Sequence, residues 1–341
     1  MWLFILFTRC KIKQKKTNRP FQYFCRMKKT IAAVILFAIT GLMISSYTAP
    51  PPINTKAALG QKLFNDNILS KDRSISCASC HLPEYGFSDT LAFSKGIEGR
   101  STTRNTPSVL NMKNRPYFFW DGRAKSLEQQ ALMPIAHPDE MGLPIKEAVA
   151  RLNADAGYRK LFLRIFKTLP NANNIGAAFA AFERTLETDS SRFDAYIDDI
   201  VAFTASEERG RKLFISEKTK CFDCHRGPDF TDDQFKNIGL FDGHALNDSG
   251  RYLITRKKED LGKFKTPGLR NIALTAPYMH NGMFQTLEEV IDYYNNPGAF
   301  VLNAVNMDST MGVPIGLSKQ EKTDLVAFLK TLTDKRFQKQ R

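Results

Sequence analysis

The feature that most constrains this chain is a five-residue pattern that occurs twice, as CASCH at residues 77–81 and CFDCH at residues 221–225. On a helix, the two cysteines and the histidine of such a pattern fall at i, i+3 and i+4, so they share one face. Two thiols can then form thioethers to the edge of a c-type haem while the imidazole ligates its iron. The predicted attachment residues are Cys77, Cys80 and His81 for one haem and Cys221, Cys224 and His225 for the other.

A single Cys-x-x-Cys also occurs by chance, in thiol redox motifs and as half of a zinc site. A second copy that carries its own histidine argues against all three. The remaining cysteines, Cys10 and Cys25, lie in a segment expected to be removed, so no thiol is left for a disulfide framework. The sequence therefore predicts two covalently bound c-type haems in one chain.

The first 49 residues are expected to direct export of the folded body. Met27 and two lysines precede an apolar run at 31–44, which is typical of a signal peptide. The run is shorter than the ~20 residues of a membrane-spanning helix, yet no charge follows it before Lys56, so an uncleaved membrane anchor is the alternative. We expect translation to begin at Met27, residues 50–56 to form a linker, and the body to be periplasmic.

The positive charge of the chain is concentrated in that same segment. Nine basic residues and no acid lie within residues 1–29, so the formal net charge of +14 leaves +5 for the rest. Haem propionates would reduce this excess further. A basic surface on the folded body, which nucleic-acid binding requires, is therefore not indicated.

The body contains an internal repeat. The segments LGQKLF at 59–64 and RGRKLF at 209–214 each precede one haem motif. We therefore predict a mostly α fold made of two cytochrome c-like haem domains in tandem, at 57–203 and 204–341. Capping-box patterns predict helix starts at Ser126, Thr204, Thr286 and Ser318. Further helices are expected over residues 145–166, 175–197 and 319–332.

The first haem is predicted to keep an open coordination position. Between His81 and Trp120 the only Met or His is Met112, whose context TPSVLNM is typical of packing rather than ligation. An iron without a sixth protein ligand is available to a small oxidant. Among the other histidines, His280 is expected near the interface between the haems, and His137 and His244 are expected in surface loops.

Four further motifs carry a family resemblance: RNTP at 104–107, WDGR at 120–123, PDEMG at 138–142 and PYMHNG at 277–282. With the haem motifs, they resemble the bacterial di-haem cytochrome c peroxidase family, including its MauG-like branch, from about residue 57 to 332. The resemblance implies reduction of hydrogen peroxide by electrons from a small exported donor, a cytochrome c or a copper protein. The alternatives are a MauG-like enzyme that oxidises residues of a partner protein and, less favoured, a plain di-haem electron carrier. Family members are often homodimers, although no residue here argues for that state.

The resemblance also implies roles for individual residues. Trp120 matches the tryptophan that supports electron transfer between the haems, and Glu140 matches the distal carboxylate that assists peroxide cleavage. Gln130 and Pro134 match other positions of the distal pocket. The side chain of Asn105 and the backbone oxygens of Thr275 and Pro277 match a calcium site, for which hard oxygen ligands are suitable.

Two positions depart from the peroxidase pattern. Tyr294 stands where the peroxidases have the methionine ligand of the second haem, and the MauG-like branch has tyrosine there. Met279 and Met283 are alternative ligands that do not match the family position. An anionic oxygen ligand stabilises higher oxidation states of iron, whereas Met sulfur raises the potential. Some peroxidases also ligate the first haem with a histidine between residues equivalent to Gly86 and Gly99. No histidine lies there, so we predict that no reductive activation is needed.

Overall fold

The computed structural model describes residues 52–337, which form helices joined by turns. The predicted export segment, and with it the question of cleavage or anchoring, lies outside these residues. No helix within 52–337 is long and apolar enough to cross a membrane. The helices of the first half are α1 (Lys56–Phe64), α2 (Leu127–Ala136), α3 (Ile145–Ala154), α4 (Ala156–Phe166), α5 (Ala172–Glu183) and α6 (Arg192–Ile197).

The second half begins after residue 203 and contains shorter helices and one small sheet. Its helices are α7 (Ala205–Phe214), α8 (Cys221–Cys224), α9 (Tyr252–Thr255), α10 (Leu287–Asn295), α11 (Pro297–Phe300) and α12 (Lys319–Lys330). The strands β1 (Phe235–Lys236) and β2 (Phe264–Lys265) pair antiparallel, with Phe235 opposite Lys265. Single 3-10 turns lie at Asn67–Leu69, Cys77–Ser79, Ile97–Gly99, Lys258–Asp260, Ile272–Leu274, Ser309–Met311 and Lys335–Phe337.

The internal repeat predicted from the sequence corresponds to two matching helix pairs. Helix α1 packs on α5, and α7 packs on α12. At each crossing a glycine lies against backbone: a Cβ at Gly60 would overlap the carbonyl oxygen of Ala178, and a Cβ at Gly210 would overlap that of Asp324. Only glycine permits so close an approach. The predicted fold class, a mostly α chain with two cytochrome c-like halves in tandem, is confirmed.

Each half has its own apolar core around its helix pair. In the first half the core joins α1 and α5 through residues such as Leu63, Phe64 and Phe179, and in the second half Phe214 and Phe328 do the same for α7 and α12. Burial of each of these side chains contributes about 1.5–3 kcal/mol. The haem motifs lie beside these cores, because Cys77 packs against the first and Cys221 against the second.

The helix starts were predicted better than the helix lengths. Thr204, Thr286 and Ser318 form reciprocal capping boxes, whereas at Ser126 the Gln129 side chain accepts from Lys125 instead. The predicted helix at 145–166 is wrong in one respect, since it is divided at Asp155. The side chain of Asp155 accepts a hydrogen bond from the Tyr158 amide at 2.8 Å, which starts a new helix there. The predicted helix at 175–197 is likewise two helices, α5 and α6.

The two halves are joined by a crosswise pair of backbone hydrogen bonds. The Asn105 amide donates to the His280 carbonyl, and the Lys265 amide donates to the Trp120 carbonyl, both at 2.7 Å. Ion pairs reinforce this contact: Arg104 binds Asp248 and Arg115 binds Asp233, at 2.6 and 2.8 Å respectively. Both halves consequently belong to one structural unit.

Candidate functional site

A single cavity connects the two halves. Its volume is about 1210 Å³, and both Cys-x-x-Cys-His motifs lie in its wall. That volume exceeds the ~300–1,000 Å³ of most ligand pockets. Apart from Met283, the residues singled out from the sequence as ligands or catalytic groups line this cavity, namely Trp120, Glu140, Gln130, Pro134, Tyr294, Met279, Asn105, Thr275 and Pro277.

The first motif forms a tight turn rather than the expected α-helix. Cys77 opens a 3-10 turn, and the His81 amide donates to the Cys77 carbonyl at 3.0 Å. The imidazole Nδ1 donates to the Phe87 carbonyl at 3.0 Å, which leaves Nε2 free to bind a metal. Burial lowers the pKa of His81, so the imidazole is neutral, as a metal ligand must be.

The second motif repeats this arrangement on helix α8. The Nδ1 of His225 donates to the Phe230 carbonyl at 3.0 Å, and burial again lowers the pKa of the imidazole. Phe87 and Phe230 both adopt a left-handed backbone conformation, with φ of 55° and 56°, which turns each carbonyl toward its histidine. The two imidazoles are therefore oriented by equivalent hydrogen bonds.

The four motif cysteines fit haem attachment chemically. All are free thiols that lie at the cavity wall. Burial raises the pKa of Cys77 and raises that of Cys80 to about 11, so these thiols are not thiolate nucleophiles. Paired neutral thiols, an oriented imidazole and a largely apolar cavity are the groups that a c-type haem requires.

Glu140 lies in the turn that follows α2, close to the first motif. Its side chain is 28 % exposed, and burial in the cavity wall raises its pKa, partly opposed by the positive charges of His137 and Arg123. The His137 Nδ1 lies 3.8 Å from the Glu140 carboxylate. His137 is exposed, as expected, but it also lies beside this carboxylate, and its spacing of three residues from Glu140 is the signal for that contact in the sequence.

Gln130 and Pro134 lie on the same side of the cavity, both on helix α2. The carbonyl of Pro134 accepts the Met141 amide at 3.2 Å, which ties the helix end to the Glu140 turn. The turn is also joined to the loop that lacks histidine. The Ile97 amide donates to the Glu140 carbonyl at 2.9 Å, and a Cβ at Gly96 would overlap the Asp139 carbonyl oxygen.

Trp120 lies where the two halves meet. Its Nε1 donates to the Asn105 carbonyl at 2.8 Å, and its own carbonyl accepts from Lys265 of the other half. The Trp120 ring meets the His280 ring edge to face, with centroids 6.5 Å apart. His280 in turn stacks on Phe264 at 3.7 Å, and burial lowers its pKa to about 4. His280 thus lies at the interface, as expected, together with Trp120.

Tyr294 lies on helix α10 in the wall of the second haem site. Its hydroxyl has no hydrogen-bond partner among residues 52–337, and burial raises its pKa. The neighbouring Tyr293 instead donates to the Ile238 carbonyl at 2.6 Å. Met279 also lines the cavity, whereas Met283 is 39 % exposed and does not.

A second repeat explains the position of Tyr294. Isolated bridges pair Phe118 with Ala124 and Tyr278 with Phe284. Each residue of the second pair lies 160 positions after its counterpart in the first pair. The same spacing separates the first residues of helices α2 and α10, Leu127 and Leu287. The same spacing puts Tyr294 in the place that Pro134 has in the first half. Tyr294, whose hydroxyl oxygen could ligate an iron, thus corresponds to Pro134, whose side chain has no ligand atom.

The three residues matched to a calcium site lie in the same cavity wall. The Asn105 Nδ2 donates to the carbonyls of Leu91 and Ala92, at 3.2 and 3.4 Å, which leaves its side-chain oxygen without a partner within residues 52–337. An amide oxygen and backbone carbonyls are hard ligands of the type calcium prefers. No group of three or more acidic, cysteine or histidine side chains that could hold a metal occurs among the described residues.

Family models and individual relatives of known sequence agree on one protein family. Residues 54–201 match the family model described as di-haem cytochrome c peroxidase, and residues 207–333 match the cytochrome c model. The chain is 41 % identical over 287 residues to the methylamine utilization protein MauG of Methylorubrum extorquens, covering 83 % of this chain and 80 % of that protein. It is 35 % identical over 308 residues to the cytochrome c551 peroxidase of Nitrosomonas europaea, with 87 % of each covered.

Solved structures show the same relationship. A MauG-like protein associated with microbial copper homeostasis superposes with a TM-score of 0.75 at 38 % identity, covering 85 % of this chain and 94 % of that one. The di-haem peroxidase BthA of Burkholderia thailandensis has a TM-score of 0.75 at 28 % identity, covering 84 % and 87 %. With the paired haem motifs in one cavity, these similarities show that the chain belongs to the bacterial di-haem cytochrome c peroxidase family.

Proposed function

We propose that this protein is an oxidoreductase that reduces hydrogen peroxide to water with electrons from a small exported donor, a cytochrome c or a copper protein. The observation that carries the proposal is the position of the Glu140 carboxyl, in the same cavity wall as the oriented His81 imidazole. Two covalently bound c-type haems, one at each Cys-x-x-Cys-His motif, would supply the redox-active iron. The family's peroxidase members support the same activity.

Glu140 is suited to hold and move one proton. Its raised pKa keeps the carboxyl protonated over a wider pH range than an exposed glutamate. Cleavage of peroxide moves a proton from the near oxygen to the far one, which a carboxyl at this position can carry. His137, 3.8 Å away, can return the proton between turnovers.

Trp120 is suited to connect the two sites. Its ring meets His280, its Nε1 is fixed on Asn105, and its carbonyl is held by Lys265 of the other half. Few rotamers are then available to the indole. A rigid aromatic ring between two redox sites supports electron transfer from the site of His225 to the site of His81.

A MauG-like reaction, in which residues of a partner protein are oxidised, is the second candidate. The observation that favours it is Tyr294, whose hydroxyl lines the second site without a hydrogen-bond partner in the described chain. An oxygen ligand there would lower the potential of the second haem compared with a methionine. The similarity to MauG proteins agrees with this candidate.

The proposal extends to location, calcium and assembly. Residues 27–49 would direct the protein to the periplasm, by cleavage or as an anchor. Calcium would bind Asn105 together with the carbonyls of Thr275 and Pro277, because these oxygens are of the kind calcium prefers. A homodimer is expected only from the family resemblance.

The deciding experiment adds hydrogen peroxide to the all-ferric protein in the presence of reduced cytochrome c and follows both haem spectra. Rapid multiple oxidation of cytochrome c would support the peroxidase. A long-lived oxidised species with little cytochrome c oxidation would support the MauG-like reaction. No spectral response to peroxide would contradict both and leave an electron carrier.

A further inference from the structure

Glu183 is a buried carboxyl that the proposed reaction does not use. It ends helix α5, is 4 % exposed, and lies in the cavity wall at the first haem site. Its Oε2 is buried without a hydrogen-bond partner in the described chain. Such a group usually costs stability, since a buried polar atom without a partner loses its hydration.

The second half has no equivalent carboxyl. The contacts of Gly60 with Ala178 and Phe182 correspond to those of Gly210 with Asp324 and Phe328. The next residue after each phenylalanine is Glu183 in one half and Leu329 in the other, and both line the cavity. The two haem sites therefore differ by one ionisable group at the same place in the fold, where the second half has the apolar Leu329.

The surroundings of Glu183 favour its neutral form. Burial raises its pKa to about 8, although the neighbouring Arg184 acts in the opposite direction. Arg184 is engaged elsewhere, because its guanidinium binds Glu128 on α2 at 2.7 Å. Glu183 is also near enough to Cys77 that its negative charge would raise the pKa of that thiol. Glu128 adds to the rise in the Glu183 pKa. The cavity wall at this end also carries Glu140, with His137 and Arg123 near it, and the neutral His81.

We propose that Glu183 couples the oxidation state of the first haem to one proton, while the second haem, beside Leu329, has no such coupling. When the iron loses an electron to a one-electron oxidant, its charge rises by one. The Glu183 carboxyl then releases its proton to water through the cavity, and the carboxylate balances the added charge. On reduction the proton returns. This inference rests on the proposed attachment of a haem at Cys77 and Cys80.

The size of the effect follows from the distance dependence of charge interactions. At an effective dielectric constant of about 20, a unit charge within roughly 12 Å changes a proton affinity about tenfold. For a one-electron couple, a tenfold coupling corresponds to about 59 mV. We therefore expect the midpoint potential of the first haem to fall by about this amount as the pH rises through the range in which Glu183 ionises.

The test is a spectroelectrochemical titration of the di-haem protein between pH 6 and about 10 without peroxide, following each haem separately. Glu183→Gln should keep the higher potential of the first haem at every pH and lose the pH-dependent fall. The second haem should be unchanged. Glu128→Gln, which alters the exposed partner of Arg184, is the matched control and should retain the fall. The same titration of the Glu140→Gln variant measures how much the Glu140 carboxyl contributes to the pH dependence of this midpoint potential.

The inference would be overturned if the midpoint potential of the first haem still fell with rising pH in Glu183→Gln. It would also be overturned if the wild-type protein showed no such fall. If Glu183→Gln does not fold, infrared difference spectra of the wild-type protein decide: oxidation of the first haem should remove a protonated carboxyl band, also when Glu140 is glutamine. The converse variant, Leu329→Glu, should make the second haem pH-dependent. Failure of the proposed function appears differently, as fewer than two haems per chain or no reaction with peroxide.

Discussion

At the scale of single residues, the two haem sites differ in the side chains that line the cavity around each motif histidine. The first site has the Glu140 carboxyl with Gln130 and Pro134, and the second has Tyr294 in the place equivalent to Pro134. Proline offers no side-chain ligand, whereas tyrosine offers an oxygen. The chemistry assigned to each half thus depends on a few side chains attached to equivalent backbone.

Replacement of Glu140 by glutamine should slow peroxide cleavage about 10²–10⁴-fold, because the amide keeps the shape of the side chain but does not carry the proton. Stopped-flow mixing of the ferric protein with peroxide measures this rate. Glu147→Gln, which changes an exposed glutamate on helix α3, is the control and should react normally. Normal cleavage by the Glu140 variant would remove this carboxyl from the mechanism.

Replacement of Tyr294 by methionine should raise the midpoint potential of the second haem by on the order of 100 mV, since thioether sulfur stabilises the reduced iron compared with an oxygen ligand. A redox titration followed in the visible spectrum measures the shift. Tyr293→Phe is the matched control, because that hydroxyl is bound to the Ile238 carbonyl. Equal potentials in wild type and Tyr294→Met would favour Met279 as the ligand.

At the scale of elements, short segments hold the site in shape by contacts with their neighbours. The loop at 94–102 is joined to the Glu140 turn through the amide of Ile97 and the close approach of Gly96 to Asp139. The Lys95 Nζ of this loop donates a hydrogen bond to the Ser101 hydroxyl at 2.5 Å. The loop therefore supports the Glu140 turn and, lacking histidine, provides no imidazole for the first haem.

We expect the all-ferric protein to react with peroxide without prior reduction, because no imidazole of this loop has to leave the iron. The measurement compares peroxide-induced spectral change in fully oxidised and half-reduced samples. Similar rates are the expected outcome. A response seen only after partial reduction would contradict the prediction and point to a ligand from elsewhere in the cavity.

The helix crossing at Gly60 should tolerate no side chain. Gly60→Ala would force α1 away from the Ala178 carbonyl and is expected to lower the free energy of unfolding by about 1–3 kcal/mol. Denaturant unfolding of the haem-loaded protein measures the change. Gly312→Ala is the control: its φ of −78° suits alanine and the nearest atom lies 3.7 Å away, so a change within about 0.5 kcal/mol is expected.

At the scale of the whole molecule, the halves are bound together where the proposed electron path runs. Arg104 of the first half binds Asp121 beside Trp120 and also Asp248 of the second half, both at 2.6 Å. The Arg104 side chain is only 14 % exposed. One side chain therefore links the tryptophan loop of one half to a loop of the other.

Asp248→Asn should destabilise the protein by about 2 kcal/mol, because the largely buried Arg104 loses one of its two charged partners. Arg104 lowers the pKa of Asp248 in the folded state, so this stabilisation is present above the ordinary Asp pKa of about 4 and is lost as the pH falls through the lower folded value. Acid unfolding of wild type and variant should converge at low pH. The exposed Asp198→Asn serves as control, and an equal loss at all pH values would exclude a charge effect.

The local chemistry of this protein can be predicted from short stretches of its sequence. The spacing within residues 77–81 and 221–225 specifies two thiols and an imidazole on one turn, and the caps at Thr204, Thr286 and Ser318 specify where helices start. These features depend on residues at most four positions apart, whose relative placement the backbone geometry fixes. Helix lengths were less predictable, because a local cap such as Asp155 can start a new helix inside a continuous helical pattern.

Contacts between residues far apart in the chain became visible only in the folded protein. His137 joins Glu140, Trp120 is fixed by Asn105 and Lys265, and Glu183 is buried beside the first motif although its sequence context resembles an ordinary helix end. Such contacts depend on how whole helices pack, and the residues involved give no local signal of their partners. Burial then changes the chemistry itself, because a carboxyl removed from water holds its proton more strongly than the same carboxyl at the surface.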